Sequence, residues 1–154
     1  MKKNLSLIFS VFILLLLITS CGGSDRKEIE DVLSKRKKAF ETKNLELYLS
    51  CISPTYREEK NGQVIGIGEV KRNFLSNVSV FDQIKISYSD RTIYHKGERA
   101  DVAQKTAVEV RMEKEEGHFL LKENLGLEKI KGRWRIVKES DADFLKGFVF
   151  GGIK

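Results

Sequence analysis

The sequence predicts an α+β domain in which N-terminal helices pack on a curved antiparallel sheet. At residues 26–52 and again at 69–75, apolar residues recur with the spacing of helices, whereas from Phe81 onward they alternate every second residue. A sheet with one apolar face has to cover that face, and the helices that precede it can do so. A separate apolar leader comes before all of these elements.

Residues 1–20 have the pattern of an export signal. The basic pair Lys2-Lys3 precedes an apolar run from Leu5 to Ile18, and two small residues follow. The run is short for a membrane span, which needs about 20 apolar residues. We therefore predict a leader that is removed, and keep two alternatives, a plain secretory signal with an incidental cysteine and a membrane-spanning anchor.

The end of the leader, Ile18-Thr19-Ser20-Cys21, resembles the lipobox of bacterial lipoproteins, in which an apolar residue and two small residues precede a cysteine. In that family the chain is cut before the cysteine, whose sulfur carries a diacylglycerol. The resemblance implies that Cys21 is lipidated and attaches a cell-envelope protein to a membrane, with residues 21–25 as a short tether. Gly22 after the cysteine, rather than Asp, favours the outer membrane, facing the periplasm, if the organism is Gram-negative.

Composition restricts what the remaining chain can be. Removing residues 1–20 leaves 134 residues, which is enough for one domain with a core. The excess of bases over acids then falls from six to four and is spread along the chain, so we expect no nucleic acid partner. Cys51 is the only cysteine besides Cys21, so we predict no intramolecular disulfide and a buried structural thiol.

The first predicted helix runs from about residue 26 to 42. Asp25 and Glu28 have the spacing of a capping box at its start. We place Arg36 mostly off its apolar face, together with the two lysines that follow it. The residues on that face are Ile29, Val32, Leu33 and Phe40.

Asn44 is predicted to cap a short second helix, which Pro54 stops. An extended excursion from Tyr56 to Ile67 follows, with a turn at Asn61-Gly62. A third helix is predicted from Glu69 to Leu75, with Val70 and Phe74 directed inward.

Four half-buried strands follow, separated by predicted turns at residues 91–99, 114–117 and 131–132. Trp134 alternates with Ile136 on the last strand, so we predict that Trp134 lies in the core. The inward rows of the first three strands are Ile84, Ile86 and Tyr88; Val102, Thr106, Val108, Val110 and Met112; and Phe119, Leu121, Leu125 and Leu127.

Two segments carry a second resemblance. Residues 40–50, FETKNLELYLS, are similar to the helix-break-helix opening of the nuclear transport factor two-like superfamily, and residues 132–139, GRWRIVKE, to its closing strand. The resemblance covers roughly residues 27–140. It implies a cone-shaped, cystatin-like roll over residues 26–140, with a cavity between sheet and helices. The superfamily includes ketosteroid isomerases, SnoaL-like polyketide cyclases, dehydratases and non-enzymatic binding domains, so the fold leaves the function open.

Glu123 is the most informative polar residue, because it lies in the apolar row of the third strand. Counting pairs back from the turn at residues 131–132 places Lys138 diagonally across from Glu123. Gln104 interrupts the neighbouring apolar row. We predict that Glu123, Lys138 and Gln104 form a polar patch that binds a small apolar ligand. The alternative is an exposed pair at fraying strand ends.

The isomerase resemblance implies one carboxylate after the second helix, near Glu58 or Glu59, and another on a late strand, near Glu123 or Asn124. No histidine joins them, since both histidines are expected in or beside turns, exposed to solvent. We find no metal-ligand spacing, no nucleophile beside a base and no phosphate loop. The sequence therefore predicts no catalytic residue, no metal site and no cofactor. The two histidines are His95 and His118.

Residues 141–154 form an apolar tail that includes Phe144, Phe148 and Phe150. We expect it to fold back over the helices or the cavity mouth, and the alternative is contact with a partner or a membrane. The sequence thus favours a membrane-anchored envelope lipoprotein with a non-catalytic domain that binds a ligand or partner. The alternatives are a small isomerase-like, dehydratase-like or cyclase-like enzyme acting on an apolar ligand, and an assembly subunit that forms a homodimer through the open sheet face.

Overall fold

The computed structural model describes residues 21–60 and 62–139. The predicted leader at residues 1–20, Asn61 of the predicted turn and the tail at residues 141–154 lie outside the described residues. The elements in chain order are α1 (Cys21–Glu41), α2 (Leu45–Cys51), β1 (Arg57–Lys60), β2 (Gln63–Gly66), α3 (Ile67–Ser79), β3 (Gln83–Lys96), β4 (Arg99–Met112), β5 (Glu115–Ile130) and β6 (Arg133–Glu139).

The predicted α+β class is confirmed. Strands β3, β4, β5 and β6 form one curved antiparallel sheet in chain order, β1 and β2 form a separate hairpin, and the helices cover the inner face of the large sheet. Inward residues of every long strand join apolar residues of all three helices in one core. None of the described helices is both long and apolar enough to cross a bilayer.

Helix α1 already includes Cys21, the first described residue, whereas its predicted start was at about residue 26. The predicted tether at residues 21–25 is thus helical, and Asp25 lies inside the helix instead of capping it. Its carboxylate accepts hydrogen bonds from Lys129 Nζ at 2.6 Å and Trp134 Nε1 at 3.2 Å. The Asp25 carboxylate, which the predicted cap would have used as its acceptor, is thus hydrogen-bonded to the β5–β6 hairpin.

The second helix and the hairpin agree with their predictions. Asn44 Oδ1 accepts the backbone N–H of Leu47 at 2.9 Å, which caps α2. Gly62, at the turn of the β1–β2 hairpin, has a φ of 75°, a conformation that glycine adopts without strain. Helix α3 is longer than predicted, and Val70 and Phe74 are buried on it as expected.

All four long strands are confirmed, but the turn predicted over residues 91–99 is much tighter. Strand β3 continues to Lys96 because a bulge between Ser89 and Thr92 accommodates the polar residues there, and the chain reverses at Gly97. His95 therefore pairs with Ala100 inside the sheet instead of lying in a turn. The next turn falls just after β4 ends, at residues 113–114, slightly before its predicted place.

The last hairpin turns at residues 131–132, as predicted, and Leu127 faces Ile136. A register shift between Gly126 and Leu127 then pairs Leu125 with Glu139 and not with Lys138. Because a shift by one residue exchanges the two faces of a strand, Glu139 is buried and Lys138 is exposed on the outer face. The predicted proximity of Lys138 to Glu123 is therefore wrong.

Candidate functional site

A buried ionic cluster lies between α1 and the sheet. Arg36 is 1% exposed, and it lies between two carboxylates that are just as buried, Glu123 and Glu139. Its Nη2 donates to Glu123 Oε1 at 3.1 Å, and its Nε donates to Glu139 Oε1 at 2.7 Å. A buried charge needs opposite charges and hydrogen bonds around it, and this arrangement supplies both.

Helix α1 places Arg36 in this position by its spacing. Ile29, Leu33, Arg36 and Phe40 follow one another at intervals of four, three and four residues, so they share one face. The guanidinium carbon of Arg36 lies 5.2 Å from the centroid of the Phe40 ring. The sequence prediction that placed Arg36 off the apolar face is wrong, because it weighed the charge above the spacing.

Glu123 also has partners on the neighbouring strand. Its Oε2 accepts a hydrogen bond from Gln104 Nε2 at 2.9 Å and another from Thr106 Oγ1. Burial on its own would raise the pKa of Glu123, but the charge of Arg36 and these hydrogen bonds outweigh it and lower the pKa. The carboxylate therefore stays ionised at neutral pH.

Glu139 connects the cluster to two tyrosines. Its Oε2 accepts from Tyr48 Oη at 2.9 Å, and its backbone N–H donates to Tyr56 Oη at 3.3 Å. Tyr56 in turn donates its hydroxyl hydrogen to Glu58 Oε2 at 2.7 Å. The pKa of Tyr48 is raised, mainly by burial and then by the negative charge of Glu139. The pKa of Tyr56 is also raised, mainly by burial and then by its hydrogen bond to Glu58. Both hydroxyls are therefore neutral donors.

On the β3 side, the cluster ends at a half-buried arginine. The bulge after Ser89 brings Arg91 to the inner face, where its Nε donates to Gln104 Oε1 at 2.7 Å. The Arg91 guanidinium carbon lies 4.7 Å from the centroid of the Tyr88 ring. Arg36 Nη1 reaches the hydroxyl of the same tyrosine at 3.5 Å. Arg91 is thus held by a hydrogen bond and by stacking at the edge of the sheet.

The structure brings together some of the predicted site residues and separates others. Glu123 and Gln104 lie side by side, whereas Lys138 is on the outer face. Glu58 connects to the cluster through Tyr56, whereas Glu59 is exposed. Of the remaining predicted residues, Asn124 and His118 belong to outward positions of the sheet, whereas the half-buried His95 pairs with the buried Ala100 and lies on the inner face.

The sequence prediction missed seven members of the cluster, two of which are Arg91 on β3 and Thr106 on β4. The spacing along α1 could have indicated Arg36, and the alternation along β3 already placed Tyr88 inward. The burial of Glu139 depends on the shifted register of β6, for which the sequence gives no signal. The other two missed residues are Tyr48 and Tyr56, whose places depend on how α2 and β6 meet.

The two larger cavities that we describe lie at the outer surfaces, separate from the cluster. One of about 410 Å³ lies on the outer sheet face, between Tyr94 on β3 and Lys138 on β6. Another of about 380 Å³ lies between α1 and β6, beside Trp134 and the buried Cys51, where burial raises the pKa of the thiol. Over residues 21–60 and 62–139, three or more of the usual side-chain ligands do not come together to hold a metal ion.

No protein-family model and no curated protein matches the chain. Among solved structures it is similar to a candidate dehydratase of the NTF2-like family from Streptomyces avermitilis, with 14% identity and a TM-score of 0.67 over 76% of this chain and 94% of that one. An NTF2-like superfamily protein from Salmonella enterica gives 15% identity and a TM-score of 0.67 over 76% and 89%. A candidate ketosteroid isomerase from Shewanella frigidimarina has 17% identity and a TM-score of 0.61 over 71% of this chain and 90% of that one. At these identities the likeness shows the fold alone.

Proposed function

We propose that the chain is a lipid-anchored protein of the cell envelope whose NTF2-like domain binds a small apolar ligand without transforming it. The observation that carries this proposal is that Glu123 and Glu139 share one buried cation, Arg36. Their negative charge is matched by Arg36 inside the protein, so the cluster serves to hold polar groups in place.

The titration of the cluster supports binding over acid–base catalysis. A general base works best with a pKa near the working pH, and the pKa of Glu123 is lowered instead. The neighbouring hydroxyl of Tyr88 is neutral, because burial raises its pKa. The cluster therefore presents fixed charges and neutral donors, which suit the orientation of a bound molecule.

The side chains next to the cluster support an apolar ligand. Leu121 faces Thr106 across β4 and β5, and Phe119 faces Val108, so an apolar row continues from Glu123 along the inner face. Phe119 and Leu121 are half-buried and pack at the margin of the core. Binding sites for small molecules usually combine such an apolar lining with a few polar groups.

The lipid anchor rests on the pattern before Cys21. A diacylglycerol on that cysteine would add two acyl chains, and two chains hold a protein stably on a membrane, whereas one does not. Cys21 belongs to α1, so an anchor on this residue would connect directly to the helix.

An enzyme is the second candidate. The solved neighbours described as a candidate dehydratase and a candidate ketosteroid isomerase favour it, because both share the fold. The neutral hydroxyl of Tyr88 also accepts from Arg36 Nη1 at 3.5 Å, and a neutral hydroxyl can polarise a substrate oxygen. In that case a general base other than Glu123 would have to act.

Mass spectrometry can separate a binder from an enzyme. The protein is purified under native conditions from its membrane fraction, and bound small molecules are extracted, identified and reloaded in D₂O. We expect the same molecule to be recovered with unchanged mass, and Glu123→Gln to retain less of it than Glu59→Gln, the exposed control. Deuterium incorporated at carbon, or the loss of water, would show catalysis and overturn the proposal.

Fractionation tests the anchor. Cys21→Ser should leave the chain uncut or release it from the membrane fraction. Cys51→Ala is the matched control, because it changes the other cysteine and should be cleaved and retained as wild type. Normal cleavage and membrane retention of Cys21→Ser would exclude the anchor.

A further inference from the structure

Two tight turns and the start of α1 lie at one end of the sheet, which we call the near end. The turns are those between β3 and β4 and between β5 and β6, and Lys129 N donates to Glu98 O at 2.8 Å between them. Asp25 in α1 accepts hydrogen bonds from Lys129 and Trp134, which fixes the beginning of the helix against the same end. The turn between β4 and β5 lies at the opposite end, the far end.

The turns at the two ends carry opposite charge. The near-end turns, residues 96–99 and 130–133, hold four bases and one acid, whereas the far-end turn, residues 112–116, holds three acids and one base. Arg99 also forms an ion pair with Glu128 at 3.3 Å, but its side chain is 84% exposed, so water screens the pair. The near-end bases are Lys96, Arg99, Lys131 and Arg133, and the far-end acids are Glu113, Glu115 and Glu116.

The beginning of α1 brings Cys21 to the near end. Asp25 lies four residues after Cys21 in the same helix, an axial rise of about 6 Å. Because Asp25 is held by Lys129 and Trp134, the first helical turn cannot swing away from the hairpin without breaking these hydrogen bonds. A lipid on Cys21 would therefore place the near end at the bilayer surface.

We infer that the near end docks on anionic lipid headgroups of the membrane that holds Cys21, so that the domain stands upright on the bilayer. This inference rests on the lipid anchor of the proposed function. Exposed bases are attracted to an anionic surface, and the attraction falls off over about 8 Å at physiological ionic strength. A strand of 14 residues such as β4 spans about 45 Å, so the acidic far end lies outside that range.

Surface labelling of the lipidated protein tests the orientation. The full chain is reconstituted in vesicles of phosphatidylcholine alone or with added phosphatidylglycerol, and lysines are modified with a water-soluble amine reagent. In the anionic vesicles we expect labelling of Lys96 and Lys131 to fall several-fold, and labelling of Lys114 at the far end to stay unchanged. The protection should disappear at about 1 M salt, where the screening length is about 3 Å.

A charge-reversed variant gives the matched control. Lys96→Glu with Arg133→Glu should still float with the vesicles through its lipid but lose the protection of Lys131, whereas Lys114→Glu should behave as wild type. Equal labelling of Lys131 in neutral and anionic vesicles would overturn the inference while leaving the anchor in place. Failure of the wild-type protein to float would overturn the anchor and the docking together.

Discussion

Arg36 Nε lies 2.7 Å from Glu139 Oε1, and this ion pair joins the first described helix to the end of the last described strand. The two residues are 103 positions apart, and both are almost completely buried. A buried ion pair often adds little net stability because desolvation of the charges is costly. The pair instead helps to set how α1 lies on β5 and β6, because Arg36 contacts a carboxylate on each of these strands.

Removal of Arg36 should therefore be severe. We expect Arg36→Met to lower the free energy of unfolding by about 3–5 kcal/mol at pH 7, because it leaves two carboxylates buried without their cation. Without that cation, burial and mutual repulsion should raise the pKa of Glu123 above its unfolded value. Stability should then be present at low pH and fall as pH rises, so the variant should be more stable at pH 5 than at pH 7.

Urea unfolding at the two pH values measures this effect, with Lys38→Met as the control at an exposed position of the same helix. The control should change the free energy of unfolding by no more than about 0.5 kcal/mol. If Arg36→Met unfolds like this control at pH 7, Arg36 is not the charge partner of the two carboxylates.

A double-mutant cycle can identify the partner of Glu123. We expect Arg36→Met and Glu123→Gln to show a coupling of about 1–3 kcal/mol, because each variant removes the same buried contact. Lys138→Met and Glu123→Gln should be additive to within about 0.5 kcal/mol, because Lys138 lies on the other face. The free energies are measured by denaturant unfolding. A strong coupling between Lys138 and Glu123 would contradict the shifted register and favour the register that the sequence predicted.

Acid should destabilise the wild-type protein through Glu123 and Asp25. The pKa of each carboxyl is lowered, Glu123 from 4.5 and Asp25 from 3.8, so each contributes stability above its unfolded value. That stability should be lost as pH falls below about 4.5 through the folded pKa values. Glu123→Gln should lose less stability than wild type between pH 5 and pH 3 in chemical unfolding. An equally steep loss of stability in both proteins would show that Glu123 does not contribute to the acid destabilisation.

Trp134 is 3% exposed and lies in the core, as predicted. Trp134→Ala should cost about 3–5 kcal/mol, as large aromatic truncations do. Trp134→Phe keeps most of the packing but loses the hydrogen bond to Asp25, so it should cost less than Trp134→Ala. Unfolding in urea should be followed by circular dichroism and not by tryptophan fluorescence, because both variants lack the only tryptophan. If Trp134→Ala unfolds at the same urea midpoint as wild type, Trp134 does not lie in the core.

Most of the fold could be predicted because buried apolar residues recur at the regular spacing of helices and strands. The alternation of apolar and polar residues indicated all four long strands, and the break at Asn44 indicated the division between α1 and α2. Glu123 and Gln104 were recognisable as polar residues in apolar rows, and the structure places them 2.9 Å apart. These signals are local, so one sequence is enough to interpret them.

The partners inside the cluster depended on tertiary structure. Arg36 comes from 87 residues before Glu123, and no local pattern reports that distance in sequence. The register shift at Gly126 exchanges Lys138 for Glu139 on the inner face, because side chains alternate with a period of two. The sequence by itself thus determined which segments bury a face, whereas the packing of α1 and the shifted register of β6 decided which charges meet.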